Sequence, residues 1–283
     1  MRKTVLVTGS TGYIGSRLVG ALCDRERDWS VIAVGKSNTN IDQRARFIQY
    51  DILAHCKDAN LYSFLGSPDI CVHLAWQDGF NHNAESHIDN LPLHFHFLKS
   101  LVDQGITHIA AAGSFREYGS VDGRADAHVL KAPSNFYSLA KTALMDAMNI
   151  YLKDKDVCFQ WLRPFTVYGD EHLNNSILSK ILSWEKEEKE TFPFTDGNEE
   201  YDYIHVQELA YQIIAVISQR EVTGIIDCCS GYPSKLKDKV EEFIKQNDLR
   251  IRPEYGAYKT REYDSRIIYG DNAKIKQILA GSK

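Results

Sequence analysis

The chain has 283 residues, of which 43% are hydrophobic and 25% charged, and its formal net charge is −5. This composition indicates one large globular domain or two modest ones, and it excludes fibrous and wholly disordered classes. The acidic balance argues against nucleic-acid binding, and no apolar run approaches the ~20 residues of a membrane span. The apolar stretch at residues 5–7 is too short for a signal peptide, and the six cysteines show no zinc spacing, so we expect a cytoplasmic protein without a metal site.

Short apolar runs alternate with helical periodicity along the first half of the chain. The predicted strands cover residues 4–7, 30–34, 46–50, 69–74, 108–112 and 158–162, and the predicted helices cover residues 12–23, 85–104 and 137–153. Strands and helices in alternation predict βαβ units, and hence an α/β fold with a doubly wound parallel sheet of the Rossmann type. After about residue 163 the alternation loosens. The elements predicted there are short strands near 192–194, 201–205 and 224–228 and helices at 206–218 and 235–247.

A glycine motif, Thr8-Gly9-Ser10-Thr11-Gly12-Tyr13-Ile14-Gly15, lies between the first predicted strand and the first predicted helix. Gly9 permits a tight turn, Gly12 allows a pyrophosphate to approach the backbone, and Gly15 allows the helix to pack on the strand. In this context the motif predicts a dinucleotide held at the helix N-terminus. The cofactor contacts expected in the motif are Gly9, Thr11, Gly12, Tyr13, Ile14 and Gly15. We therefore assign residues 1–165, with part of 200–230, to a cofactor domain and residues 166–283 to a smaller α/β substrate lobe.

The end of the second predicted strand reads Val34-Gly35-Lys36-Ser37-Asn38 and lacks the carboxylate that binds the ribose 2′-OH of NAD. Lys36 and Ser37 suit a 2′-phosphate instead, so we expect NADP(H) in preference to NAD(H). The alternative is a solvated lysine beside a ribose that the backbone binds. Further cofactor contacts are expected at Asp51, Ile52, Leu74, Ala75 and Trp76.

Tyr137 and Lys141 lie four residues apart, on one face of a predicted helix. A lysine this close is expected to lower the pKa of the tyrosine, which makes Tyr137 a general acid/base at neutral pH. Ser114, at the end of the fifth predicted strand, can hydrogen-bond the same substrate oxygen. The Tyr-x-x-x-Lys spacing alone is common, and its significance comes from its place after the glycine motif and Ser114.

With these motifs the chain resembles the extended short-chain dehydrogenase/reductase family of nucleotide-sugar epimerases, dehydratases and reductases. Residues 8–15, 114–119 and 137–141 match its TGxxGxxG, Ser…Tyr-Gly and YxxxK motifs, and residues 163–169, 196–206 and 261–274 are similar to its RxxNVYG, DG…RDYIHV and RPxD…DxsK segments. The resemblance implies that Tyr137 is the acid/base, that Lys141 holds the nicotinamide ribose, and that Ser114 polarises the reacting C–O group. It also implies a cofactor contact at Pro164, contacts to a nucleotide-diphosphate sugar at Ser114, Phe115, Thr166 and Arg261, and a homodimer formed by the helices at 85–104 and 137–153. Thr166 and Tyr201 replace the family's Asn and Arg.

The reaction is suggested by the residues that follow Ser114. Phe115 and Arg116 stand where the family's 4,6-dehydratases carry Asp-Glu, so dehydration is not expected. The segment 113–119, the predicted NADP(H) preference and the short C-terminal lobe are more similar to 4-keto-6-deoxysugar reductases. We therefore expect hydride transfer to the C4 ketone of a nucleotide-linked 6-deoxyhexose in deoxysugar biosynthesis, with Tyr137 as proton donor. A 4-epimerase with tightly bound NAD and a non-catalytic NADP(H)-sensing protein are the alternatives.

Several histidines near the middle of the chain invite a metal interpretation. His94 and His96 point to different sides of the predicted helix, and His87 and His94 are two turns apart, about 10 Å along the axis. We therefore expect helix-face and loop histidines, not metal ligands. His82 or Asn83, in the loop after the fourth predicted strand, is expected to border the sugar pocket.

Overall fold

The computed structural model describes residues 2–24, 29–126, 129, 131–174, 176–260 and 264–281. The strands are β1 (Lys3–Thr8), β2 (Trp29–Gly35), β3 (Arg46–Gln49), β4 (Ile70–His73), β5 (His108–Ala112), β6 (Gly123–Ala125), β7 (Cys158–Pro164), β8 (Thr166–Tyr168), β9 (Thr191–Pro193), β10 (Glu200–His205), β11 (Gly224–Cys228), β12 (Pro233–Lys235), β13 (Arg252–Glu254) and β14 (Ile267–Gly270). The α-helices are α1 (Tyr13–Leu22), α2 (Leu61–Phe64), α3 (Ser86–Asp103), α4 (Phe136–Leu152), α5 (Ile177–Lys186), α6 (Val206–Ile217), α7 (Leu236–Gln246) and α8 (Ala273–Gly281). Short 3-10 helices cover Phe115–Tyr118 and Glu171–Leu173.

Seven strands form one parallel sheet in the order β11-β7-β5-β4-β1-β2-β3. β4 and β7 are buried along their whole length, as strands covered on both faces should be. The direction of strand addition reverses between β1 and β4, which opens a crevice at the carboxyl ends of these two strands. The predicted doubly wound α/β fold is therefore confirmed.

Helices cover both faces of this sheet. Apolar side chains of α1, α6 and α8 form one core cluster with β1 and β11, while those of α3 and α4 form a second cluster on the opposite face. In α1 the buried residues Leu18, Val19 and Leu22 follow helical spacing, which explains why this segment folds as a helix against the sheet. Among the described residues, no helix is both long and apolar enough to cross a membrane.

A smaller mixed sheet has the order β12-β10-β14-β6, with β8 also paired to β10, and a separate ribbon joins β13 to β9. The strand β6 belongs to this sheet although it precedes residue 165, whereas β11 returns to the large sheet from the second half of the chain. The division at residues 165 and 166 stays a prediction.

The predicted elements of the first half begin and end within two residues of their positions in the structure. The elements absent from the prediction are β6, β8, β12, β13 and β14 and the helices α2 and α8. These strands contain only three or four residues each, too few to display a period of two.

Candidate active site

The turn between β1 and α1 is so tight that two of its glycines have no room for a side chain. Gly9 has a φ of +65°, and a Cβ there would lie 2.6 Å from the backbone nitrogen of Ala75. A Cβ on Gly15 would lie 2.1 Å from the carbonyl oxygen of Gly9. Gly12 is the N-cap of α1, and no side chain caps the helix there. The first turn of α1 can therefore direct backbone N–H groups at an anion such as a pyrophosphate.

Three other residues of the glycine motif, Thr11, Ile14 and Tyr13, were expected to contact the cofactor. Thr11 lies beside Gly35 at the end of β2, where its Cγ2 would be 3.2 Å from a Cβ at that glycine. Ile14 packs against the core. The Tyr13 hydroxyl is buried, and burial together with the nearby carboxylates of Glu171 and Asp170 raises the pKa of this tyrosine. Tyr13 therefore stays protonated.

Lys36 is paired with a carboxylate at the edge of the predicted adenine pocket. Its Nζ lies 2.9 Å from Oδ2 of Asp51, and both side chains are partly exposed. Asp51 also accepts hydrogen bonds from the backbone N–H groups of Leu53 and Ala54. Burial acts to raise the pKa of Asp51, but the bonds from Lys36 and the backbone outweigh it and lower the pKa. Asp51 therefore remains ionised and offsets the charge expected to bind a 2′-phosphate.

The end of β4 brings Trp76 against the helix that bears Tyr137 and Lys141. The Nζ of Lys141 lies 3.7 Å from the centroid of the Trp76 ring, and the His94 ring stacks on Trp76 at 4.4 Å. The indole Nε1 donates to Nδ1 of His87 at 3.0 Å. Leu74 and Ala75, just before Trp76, donate backbone hydrogen bonds to Thr8 at the end of β1.

Two of the three histidines of α3, His87 and His94, are buried, whereas His96 is partly exposed. His94 shares a hydrogen bond of 3.0 Å with His73, which in turn lies 2.9 Å from Oγ1 of Thr8. Burial lowers the pKa of His73 and lowers that of His94 to about 3, so both rings are neutral. The described part of the chain contains no group of three or more His, Cys, Asp or Glu side chains that could hold a metal ion. His87 and His94 therefore pack against the Trp76 ring and help to hold it in place.

Ser114, Tyr137 and Lys141, here called the candidate triad, come together at the carboxyl edge of β5. Ser114 is buried and forms the N-cap of the 3-10 helix that follows. Tyr137 is half-buried near the start of α4, where its N–H donates to the carbonyl of His82 at 2.9 Å and its ring stacks on the His82 ring. The Lys141 ammonium donates to the carbonyl of Ala112 at 2.6 Å. His82 thus lies beside Tyr137 and Asn83 is exposed, and a border between either residue and a sugar pocket stays a prediction.

The direction of the pKa shift at Tyr137 differs from the expectation. Burial raises the pKa of Tyr137 to about 12, although a hydrogen bond with Ser114 acts to lower it. Lys141 does not contribute, because its amine is directed at Ala112 and Trp76 and lies 5.8 Å from the centroid of the Tyr137 ring. Burial also lowers the pKa of Lys141 to about 7, so near neutral pH it is charged only part of the time. The expected lowering of the tyrosine pKa by this lysine was wrong for this arrangement.

The remaining predicted substrate and cofactor residues are spread over several elements. The Phe115 ring stacks on Phe165 with centroids 5.3 Å apart, and Arg116 forms a 3.0 Å ion pair with Asp264. Thr166 is in β8, where it pairs with Tyr203. Three predicted cofactor residues lie on other elements. Pro164 ends β7 opposite Cys228, and Ile52 is buried. The Ser37 hydroxyl is hydrogen-bonded to the Thr39 hydroxyl at 3.1 Å. Arg261 lies outside the described residues.

Sequence reasoning overlooked one feature of this site, the carboxylate of Glu117. It is fully buried, accepts from the backbone N–H of Ser114 and pairs with Arg163. A signal was present, because Ser114 and Glu117 are spaced as a capping box, in which a serine side chain and a glutamate three residues later cap a helix start reciprocally.

Residues 5–228 match the sequence model of the NAD dependent epimerase/dehydratase family, and they make up most of the 283-residue chain. The chain belongs to this family. The resemblance inferred from the motifs is thereby confirmed, and membership makes the chain an enzyme whose chemistry depends on a nicotinamide cofactor.

Individual proteins that are similar to this chain align with nearly its whole length. A dTDP-6-deoxy-L-talose 4-dehydrogenase (NAD(+)) from Aggregatibacter actinomycetemcomitans is 36% identical over 270 residues, 94% of this chain and 98% of that protein. A GDP-6-deoxy-D-mannose reductase from Pseudomonas aeruginosa is 19% identical, covering 97% of this chain and 91% of that protein. Among solved structures, MoeE5 in complex with UDP-glucuronic acid and NAD has a TM-score of 0.82 at 23% identity, covering 98% of this chain and 92% of that one. This last likeness shows a shared fold.

Proposed function

We propose that the chain is an NAD(H)-dependent reductase that acts at C4 of a nucleotide-linked 4-keto-6-deoxyhexose in deoxysugar biosynthesis. The observation that carries the proposal is the convergence of the candidate triad on one point at the carboxyl edge of the sheet, beside the glycine turn. The 36% identical relative, a 4-dehydrogenase of a dTDP-6-deoxyhexose, supports this substrate class, because C4 reduction is the reverse of C4 oxidation.

The residues present fit a dinucleotide. Gly9 and Gly15 leave no space for side chains in the turn, and Gly12 leaves the first turn of α1 without a side-chain cap. The glycine turn would hold the pyrophosphate, Asp51 and Ile52 the adenine, and Lys141 the nicotinamide ribose. Bound there, the cofactor supplies the hydride that the protein itself lacks.

The choice of cofactor in the proposal departs from the NADP(H) expected from Lys36 and Ser37. NADP(H) finds no support among the relatives, since the 4-dehydrogenase is an NAD(+) enzyme. The pair between Lys36 and Asp51 gives a physical reason, because an ionised carboxylate 2.9 Å from the ammonium repels a 2′-phosphate. We therefore favour NAD(H).

In this proposal the chain's own residues hold and move one proton. The raised pKa of about 12 keeps Tyr137 protonated, as a proton donor to the forming C4 alkoxide must be. The Ser114 hydroxyl donates a hydrogen bond to the same oxygen. The tyrosinate left by this transfer recovers its proton from water, while Lys141, with a pKa of about 7, exchanges its own proton at neutral pH and is available to the nicotinamide ribose.

The residues after Ser114 favour simple C4 chemistry over dehydration. Phe115 has no ionisable group, and Arg116 is tied to Asp264, so neither supplies the acid and base for removing water. Phe115, Thr166 and Arg261 remain our candidates for contacts with the sugar nucleotide. The substrate in this proposal is a nucleotide-diphosphate sugar.

The experiment incubates the purified protein with NADH or NADPH and a panel of nucleotide-linked 4-keto-6-deoxyhexoses, and it follows cofactor absorbance. Consumption of NADH with one of them, abolished by Tyr137→Phe, is the expected result. Interconversion of UDP-sugars without added cofactor would instead identify a 4-epimerase, and absence of any turnover in a protein that binds NAD(H) would refute the reductase.

We also propose a homodimer formed by α3 and α4. These helices pack side by side and expose several apolar side chains to solvent, namely Ile88, Phe136, Leu139 and Ile150. Ile150 is 78% exposed, and together with the other three it forms the apolar surface that a second copy would cover.

A further inference from the structure

Glu117 is a buried carboxylate directly behind the candidate triad. Its oxygens accept hydrogen bonds from the Ser114 backbone N–H at 2.7 Å, from Trp161 Nε1 at 3.0 Å and from Arg163 Nε at 2.9 Å. The side chain is fully buried, so no water competes for these bonds. A carboxylate held by three donors, one just after β5 and two on β7, has one position and one orientation.

The pairing of Glu117 with Arg163 is a buried ion pair. Nη2 of Arg163 lies 2.9 Å from Oε2 of Glu117, and the two side chains are 2% and 0% exposed. The ring of Tyr118 covers the guanidinium, with the ring centroid 4.4 Å from Cζ. Such a pair adds little net stability, because removing two charges from water offsets most of their attraction. Its presence is better explained by what it does for the neighbouring site.

The end of β5 packs against this carboxylate without a gap. A Cβ on Gly113 would lie 2.4 Å from Oε1 of Glu117 and 2.2 Å from Nε1 of Trp161. A side chain at residue 113 would therefore displace Glu117 or Trp161, and the backbone of Ser114 bonds directly to the carboxylate. The place of the Ser114 hydroxyl thus depends on the place of Glu117.

The charge of Glu117 also acts on the other two members of the triad. Burial is the larger influence on both, and the Glu117 charge adds to the rise in the pKa of Tyr137 and opposes the fall in that of Lys141. The other charged groups close to this carboxylate are Arg163 on β7 and Asp227 on β11, and the Tyr118 ring lies against Arg163.

We propose that Glu117 is a positioning residue of the active site, which fixes the backbone of Ser114 and holds a negative charge behind Tyr137 and Lys141. The inference rests on the proposed function, because it assigns a role in that chemistry to a residue that acts only through others. It extends the site from three residues to a buried group that includes Glu117 and Arg163.

The first test titrates Lys141 by NMR in protein labelled with 13C-lysine, with Lys141→Met to assign the resonance. Glu117→Gln keeps the shape and removes the charge, so the pKa of Lys141 should fall by about one pH unit. Trp161→Phe is the control, since it removes one neutral donor to the same carboxylate and leaves the charge; it should titrate as the wild type does. An unchanged Lys141 titration in Glu117→Gln would overturn the electrostatic part of the proposal.

The second test uses Glu117→Asp, which keeps the charge but is one methylene too short to reach the Ser114 N–H. We expect kcat to fall at least tenfold with KM for NADH nearly unchanged, and the Lys141 titration to stay near that of the wild type. Wild-type kcat in Glu117→Asp would overturn the positioning of Ser114.

Folding is checked by circular dichroism, because Glu117→Gln leaves Arg163 buried without a charged partner. If that variant does not fold, the double variant Glu117→Gln/Arg163→Met is titrated in its place; the Lys141 pKa should again fall, but by less, because a positive charge is removed as well. If the wild type turns over no sugar nucleotide, the proposed function fails, while the Lys141 titration still decides the role of Glu117.

Discussion

Replacing Gly15 with alanine should damage both the stability of the protein and its binding of NAD(H). The added Cβ would lie 2.1 Å from the carbonyl oxygen of Gly9, whereas ordinary contacts lie at 3.4–4 Å. The neighbour is backbone, so α1 and the turn must separate by about 1 Å, and overpacking of this kind costs about 1–3 kcal/mol in the free energy of unfolding. The same movement displaces the N–H groups of the helix start from a bound pyrophosphate, and each ~1.4 kcal/mol lost there weakens binding about tenfold.

Gly20→Ala is the matched control for this prediction, because Gly20 is in the same helix. Its nearest neighbour would be Oδ2 of Asp42 at 3.9 Å, so alanine fits and should stabilise the helix by ~0.5–1 kcal/mol. Urea unfolding gives the free energies, and NADH fluorescence titration gives the affinities. Equal stability and equal NADH affinity in the two variants would refute the reasoning that Gly15 is required by close packing of the turn.

Three further predictions concern the cofactor, the buried lysine and the assembly. Asp51→Asn should release Lys36 and raise the ratio of kcat/KM for NADPH to that for NADH severalfold; an unchanged ratio would show that the pair does not govern cofactor choice. Lys141 has a folded pKa near 7, below its unfolded value, so the unfolded chain binds more protons above pH 7. The unfolding free energy of the wild type relative to Lys141→Met should therefore rise between pH 7 and about 10, by at most about 1.4 kcal/mol per pH unit, and a flat difference in urea unfolding would contradict this. Ile150→Glu should convert a dimer to monomers in light scattering with little loss of monomer stability, and a wild type that is already monomeric would refute the proposed assembly.

The large sheet was predictable because its signals are local. Each strand is a short buried run, and the glycine motif marks the turn where β1 passes into α1. In the small sheet only β10 was predictable, since β6 and β14 are neighbours in space but separated by more than a hundred residues of chain, and each is too short to show alternation.

The sequence was enough to predict which residues belong to the site, but not the pKa shifts that their surroundings produce. The order of Ser114, Tyr137 and Lys141 along the chain was enough to expect them together. The direction of the Tyr137 pKa shift depends on burial and on where the Lys141 amine points, and spacing along a helix shows neither. His94 likewise resembles a surface residue in the sequence and proves to be buried beneath Trp76.

The most direct test of the central claim supplies NADH deuterated at its transferable position together with the nucleotide-linked 4-keto-6-deoxyhexose that the enzyme consumes. The account predicts a product with one deuterium bonded to C4, seen by mass spectrometry and NMR, and no such product from Tyr137→Phe. A product with no deuterium at C4, or deuterium at C4 with undiminished yield in Tyr137→Phe, would contradict it.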